Sequence, residues 1–258
     1  MVSGRRSRSV RFLAVVLAAV AVLGLGVAGR RVFYLLSPVV DVQPRLLQVA
    51  MKARGVITLG DGLTVSMYAA GLRVQRQEQL AFETVVEGSL VSAARGHLEG
   101  RGADRREHLD ATYDNVRIDS VEASARGATY RGVVFDDERH SLPLTLTATR
   151  VQHRVDLQVS VPGADLVVVH AARQALTVGL PPRLPARNLR ERVWWVAPQT
   201  GPDQPAFTSL LGFPVGIDAP YPTALDLRQV RRNEIHVWGP ALRLSIHPYR
   251  PNPLQETA

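Results

Sequence analysis

From Val151 to Val161 the chain keeps a period of two. Val151, Val155, Leu157, Val159 and Val161 fall on one side, and Gln152, Arg154, Asp156, Gln158 and Ser160 on the other. Successive side chains of an extended strand point to opposite faces, so this pattern describes a ribbon with one apolar and one wetted side. His153 shares the apolar parity. Strands covered on both faces would read as continuous apolar runs, so the alternation points to antiparallel pairing. Shorter runs of the same kind are Leu72 and Val74, Val116 and Ile118, and Leu142, Leu144, Leu146 and Ala148. Gly60-Asp61-Gly62 reads as a turn between Val56–Leu59 and a strand with Leu63, Val65 and Met67 on one face. No strand–helix–strand rhythm accompanies these runs.

Other segments follow helical or irregular patterns. Phe12 to Gly29 is 18 residues without a charge, preceded by four arginines and followed by Arg30-Arg31. A span needs roughly 20 apolar residues, and flanking arginines hold the short N-terminus in the cytoplasm. Val27-Ala28-Gly29 also suits a signal-peptidase site, and both readings export the remainder. Pro44 and Gly55 suit the start and the end of a helix over 37–54. His170, Arg173, Gln174 and Thr177 share a helical face within 164–178, although Leu166 to Val169 is β-branched enough for a strand. Nine of the 17 prolines lie between Leu180 and Pro222, an extended and turn-rich stretch. A final pair holds Ile235 and Val237, then Leu242, Leu244 and Ile246 after the break at Gly239-Pro240.

The sequence therefore reads as α+β: an N-terminal transmembrane helix, then a mostly antiparallel, curved β-sheet domain with one or two packed helices. Its parts are a basic cytoplasmic N-terminus (1–11), a transmembrane signal-anchor (12–36), a juxtamembrane helix (37–54), a β-rich exported domain (55–247) containing the proline-rich segment (180–222), and a loose tail (248–258). The expected location is the inner membrane, with the domain on its periplasmic side.

Composition narrows the chemistry. The net charge of +8 is concentrated at the N-terminus: after Arg5, Arg6, Arg8, Arg11, Arg30 and Arg31, 25 basic residues face 23 acidic ones. That balance argues against a nucleic-acid partner. The absence of cysteine excludes disulfides, thiolate metal sites and cysteine nucleophiles. Asp136-Asp137-Glu138 with His140 offers oxygen and imidazole ligands, but lacks calcium-loop spacing and reads as a solvated turn. His97, Asp104, Glu107 and His108 supply acids and bases, yet the glycines and arginines between them read as an exposed loop. No metal, cofactor or catalytic residue is expected. Arg183, Arg187, Arg190 and Arg192 precede Trp194-Trp195, a combination that suits lipid headgroups, although a core tryptophan with surface arginines fits better. For His236 and Trp238 the sequence leaves the buried face open.

The stretches LDATYDNVRIDSVEASARG (109–127) and LPLTLTATRVQHRVDLQVSVPGADLVVVHAARQAL (142–176) resemble the LmeA-like phospholipid-binding family of bacterial envelope proteins. That resemblance implies an exported lipid-binding or lipid-transfer protein without catalysis, and it transfers no functional residue. A sheet with one apolar face shields an acyl chain at about 0.8 kcal/mol per buried methylene. The expected groove is lined by Leu142, Leu144, Leu146, Val155, Leu157, Val159, Val168 and Ala172, with Arg187, Arg190, Trp194 and Trp195 at the headgroups. Membrane lipid is the expected partner. The alternative is a protein-interaction module of an envelope assembly, docking through the proline-rich segment.

Overall fold

The computed structural model describes residues 55–249 apart from 68–70, 78, 85–89, 102–103, 137–139, 173–176, 181–182, 185–188, 190–191, 198–204, 210–212 and 229–231. The described chain folds into three antiparallel sheets. The first is a meander of β1 (Gly55–Gly60), β2 (Leu63–Met67), β3 (Leu72–Arg76) and β4 (Gln79–Glu83). Asp61 (φ 51°) and Gly62 (φ 71°) take the left-handed values that a tight hairpin of primed type requires, so the turn falls where its glycines indicated.

The second sheet has eight strands. One half of it is a meander that runs inward from the edge strand β7 (Asn115–Ser124) through β8 (Gly127–Phe135) and β9 (Ser141–Val151) to β10 (Arg154–Ser160). Beyond β10 it continues through β18 (Ala241–Ile246), β15 (Val215–Asp218), β14 (Phe207–Ser209) and β12 (Thr177–Gly179). The third sheet has six strands in the order β13 (Val193–Trp195), β16 (Thr223–Asp226), β17 (Arg232–Val237), β11 (Leu166–Ala172), β5 (Val91–Glu99) and β6 (Arg106–Tyr113).

Register explains the core. Val155, Leu157 and Val159 lie opposite Ile246, Leu244 and Leu242 on one side. On the other side Leu157 and Val159 meet Ala148 and Leu146, and Tyr130 in turn faces Leu146. In the six-stranded sheet Val167 lies between Ala93 and Val237, and Val169 between Val91 and Ile235. These residues, with Leu63, Val65, Met67 and Phe82 of the meander, form one continuous apolar core. A fully buried leucine or valine contributes roughly 1.5–3 kcal/mol. Arg150 ties the meander to the eight-stranded sheet by donating from Nη1 to the Leu59 carbonyl (2.6 Å) and pairing with Asp61.

Several expectations are corrected. The described residues contain no α-helix, so the class is all-β and not α+β. Leu166–Ala172 is a central strand, because its β-branched run is buried on both faces; residues 173–176 of the expected helix lie outside the described residues. Among the described residues no helix is long and apolar enough to cross a membrane, so the single-pass anchor and the inner-membrane location it implied find no support. Segments 12–36 and 37–54, on which those expectations rested, lie outside the described residues, as do 250–258 of the tail. His153 is exposed in the turn between β9 and β10, because Gln152 (φ 52°) breaks the alternation there.

Replacing Leu157 (2% exposed) by alanine should destabilise the fold by about 2–5 kcal/mol, the range for a truncated core leucine. Replacing exposed Gln158 should change stability by less than about 0.5 kcal/mol. Urea denaturation of the two variants checks the contrast. Equal midpoints would mean that this face encloses empty space.

Candidate functional site

The face of the six-stranded sheet turned away from the shared core is also buried, and it is polar. Alternation in β17 places Glu234 and His236 on this face, with Trp238 following in the same phase, while Ile235 and Val237 enter the core. Pairing then supplies the neighbours. His170 of β11 lies opposite Glu234, Asp226 of β16 lies opposite Glu234 from the other side, and Val168 lies opposite both His236 and Ser92. Glu107 reaches in from edge strand β6.

The result is a connected row of titratable groups. Ser92 Oγ lies 2.9 Å from His170 Nε2, and His170 Nδ1 lies 3.4 Å from Glu234 Oε1. Glu234 Oε2 is 3.1 Å from His236 Nε2, and His236 Nδ1 is 2.9 Å from Glu107 Oε1. Trp238 Nε1 donates to the same Glu107 oxygen at 3.0 Å. Solvent reaches one end of the row: the Glu107 side chain is 28% exposed, against 9% for Glu234 and 7% for His170.

Burial alone would favour the neutral form of each member, so the charges persist only because they face one another. Desolvation pushes the His236 imidazole down. The hydrogen bonds and charges of Glu107 and Glu234 outweigh it and raise His236 to about 9. Burial pushes Glu234 up, but hydrogen bonds from His170 and His236 and the charge of Arg232 hold it well below the ordinary carboxylate range. Glu107 is lowered on the same balance, through His236 and Trp238. At neutral pH an imidazolium therefore stands between two carboxylates and donates to both.

Asp226, Glu234 and His236 also offer ligand atoms within 4.8 Å of one another. A cation there would need the imidazole lone pair, which requires deprotonation. Arg228 chelates Asp226 through Nε (3.0 Å) and Nη2 (2.5 Å), and Arg232 Nε lies 2.6 Å from Glu234. The carboxylates are thus already neutralised, and the donor set suits a proton better than a metal. Beside the charged row lies a second apolar cluster of Ala94, Leu166, Val168 and Trp238, with Leu98 and Trp195 packed against it. The Arg105 guanidinium sits 4.6 Å from the centre of the Trp195 ring.

The residues expected to line a lipid groove do not converge. Leu142, Leu144, Leu146, Val155, Leu157 and Val159 are 0–6% exposed within the shared core, whereas Val168 belongs to the second cluster on the opposite face of its sheet. Ala172 lines a cavity of about 20 Å³ with Ala81, Phe82, Thr177, Phe207 and Asn233. That is room for one water and not for an acyl chain. Of the headgroup set, Trp194 packs on the core and donates from Nε1 to the Leu189 carbonyl (2.6 Å), and Trp195 joins the polar face; Arg187 and Arg190 lie outside the described residues. Arg183 is buried, bracing the Ala197 and Ile217 carbonyls at 2.6 and 2.8 Å. His140 Nδ1 pairs with Asp136 at 2.9 Å on the surface, and Asp137 and Glu138 lie outside the described residues. Of the set at 97–108, Glu107 joins the row, while His97 and His108 stack on each other, ring centres 5.0 Å apart. Sequence reasoning missed Ser92, His170, Asp226 and Glu234. Reading Glu234, His236 and Trp238 with a period of two would have put an acid, a base and an indole on one face.

No protein-family model matches this sequence, and no curated protein matches it. Among solved structures, the chain is similar to a GH31 family sulfoquinovosidase from E. rectale, solved with the aza-sugar inhibitor IFGSQ. The two are 14% identical with a TM-score of 0.51, over 70% of this chain and 32% of that one. This chain spans about a third of that enzyme, and the likeness is one of fold. The expectation of a non-enzyme is corrected on that ground: the fold occurs within an enzyme.

Because His236 is raised on folding from about 6.5, its contribution to stability is complete below pH 6.5 and is lost as pH rises through about 9. Glu107 and Glu234 act in the opposite sense, contributing above about pH 4.5 and losing that contribution as pH falls through their lowered values. Melting temperatures between pH 7 and 10 should fall in the wild type and stay flatter in His236→Gln. Identical profiles would show that His236 is not held between the two acids.

Proposed function

We propose that the polar face of the six-stranded sheet binds a polyhydroxylated, sugar-like ligand and accepts a proton from it at Glu107. The observation that carries this reading is the Glu107–His236–Glu234 row, which opens to solvent at Glu107, bonded to Trp238, with Trp195 in the same apolar cluster as Trp238. Sugars present hydroxyls at their edges and C–H groups on their faces, so carboxylates beside indoles match both. The partner class comes from that chemistry, and the fold shared with a glycosidase supports it.

The roles follow from charge. Glu107 is the ionised, partly exposed group, and it accepts hydrogen bonds from ligand hydroxyls or takes a proton as general base. His236 holds that carboxylate in place and, as an imidazolium, stabilises its charge. Glu234 is buried deeper and fixes the imidazole from behind, and Arg232 keeps Glu234 ionised. Proton transfer by a positioned side chain contributes typically about 10²–10⁴-fold in rate.

The test is to incubate the full chain with 4-nitrophenyl glycopyranosides of both anomeric configurations and to titrate the same sugars by calorimetry. Glu107→Gln should lower turnover by about 10²-fold or more while leaving the circular dichroism spectrum unchanged. Trp195→Ala should chiefly raise KM. A wild-type chain that neither binds nor turns over any of these sugars would end the proposal.

A further inference from the structure

Strand β7 ends the eight-stranded sheet, and among the described residues it is bonded on one side only, to β8. An edge of ten residues leaves a row of backbone donors and acceptors able to pair with another strand. Proteins usually blunt such edges with charges and bulges, and β7 carries both. Its charges, however, are arranged to complement themselves.

The bulge makes this so. Asp119 has no partner in β8, because Ile118 faces Gly132 and Ser120 faces Arg131. Val116, Ile118, Val121 and Ala123 then lie opposite Val134, Gly132, Tyr130 and Ala128 on the core side. Arg117, Ser120 and Glu122 share the outer side. Five residues apart, Arg117 and Glu122 would point to opposite faces of a regular strand, and the extra residue brings them to the same one. With Asp119 set aside, positions equally far from Ser120 match or complement each other: Ile118 with Val121, Arg117 with Glu122, Val116 with Ala123, and Asn115 with Ser124.

We propose that β7 pairs antiparallel with β7 of a second copy about a two-fold axis through Ser120, joining two eight-stranded sheets edge to edge. Arg117 then lies opposite the partner's Glu122 twice over, and Ile118 packs beside the partner's Val121. Val121, 38% exposed in the single chain, gains an apolar neighbour. The ion pairs that these residues make within the chain, Arg117–Asp119 (2.7 Å) and Arg131–Glu122 (3.5 Å), are at least half exposed and so compete weakly. The second copy is favoured over an unrelated strand because the complementarity closes on itself.

The chain has no cysteine, which makes the test direct. Ser120→Cys in the full chain should form a covalent dimer under mild oxidation, since residues on the axis bring their Cα atoms within disulfide range, about 4.4–6.8 Å. Ser124→Cys, also at an exposed position, should not cross-link to itself but should cross-link when mixed with Asn115→Cys. Arg117→Glu added to Ser120→Cys should slow dimer formation about tenfold, and adding Glu122→Arg should restore it. Cross-linking at Ser124 as fast as at Ser120, or at a rate indifferent to charge reversal, would overturn the pairing. Arg117, Ser120, Glu122 and Ser124 are exposed and Asn115 is half-buried, and circular dichroism of each variant separates loss of pairing from loss of fold.

Discussion

Apolar contact between the inner faces of the eight- and six-stranded sheets is the constraint on which the remaining features rest. Each strand turns alternate residues inward, and pairing lines up the inward sets so that Leu244, Leu157, Ala148 and Ala128 form one continuous row and Leu242, Val159, Leu146 and Tyr130 the next. A slip of one residue would turn a whole apolar set to water and bury arginines and glutamines in its place, so register is strongly fixed. The meander adds Leu63, Val65, Met67 and Phe82 to the same core.

With one face committed to the core, the other face of the six-stranded sheet is free to carry chemistry, and it carries a great deal. Buried carboxylates and imidazoles are costly unless paired, and here each is paired on at least one side. The row crosses five adjacent strands, from Ser92 on β5 and Glu107 on β6 to Asp226 on β16, so no single segment could hold it. Its geometry depends on the register that the core imposes. Rigid strands position such groups more closely than loops can, which is why a proton-handling row fits a sheet face.

Legibility differed from residue to residue. Leu142 to Ala148 and Val155 to Val161 announced their strands, because one wet face imposes alternation. Leu166 to Ala172 did not. It is buried on both faces, its pattern becomes a continuous run, and periodicity then fails to separate strand from helix. The same burial hid His170, which in a helical reading is one more polar position. Glu107 was noticed in company with His97 and His108, but adjacent residues on a strand point apart, and its true partners lie more than a hundred positions along the chain. Leu142, Leu144, Leu146, Val155, Leu157 and Val159, expected to open a groove, face the shared core. They meet their counterparts from the other strands instead of open space.

Taken alone, the sequence determined which residues face the interior of β2, β3, β9, β10 and β18, the glycine turn at 60–62, the lack of thiol chemistry and the small charge of the chain beyond residue 37, since each depends only on neighbours along the chain. Tertiary structure alone decided that the inward faces interlock, that Glu107, Glu234, His236 and His170 meet, and that one bulge at Asp119 puts Arg117 and Glu122 on one side. Those outcomes depend on which strand lies beside which. Pairing between distant strands is set by the summed burial of many side chains and leaves no mark in any local stretch of sequence.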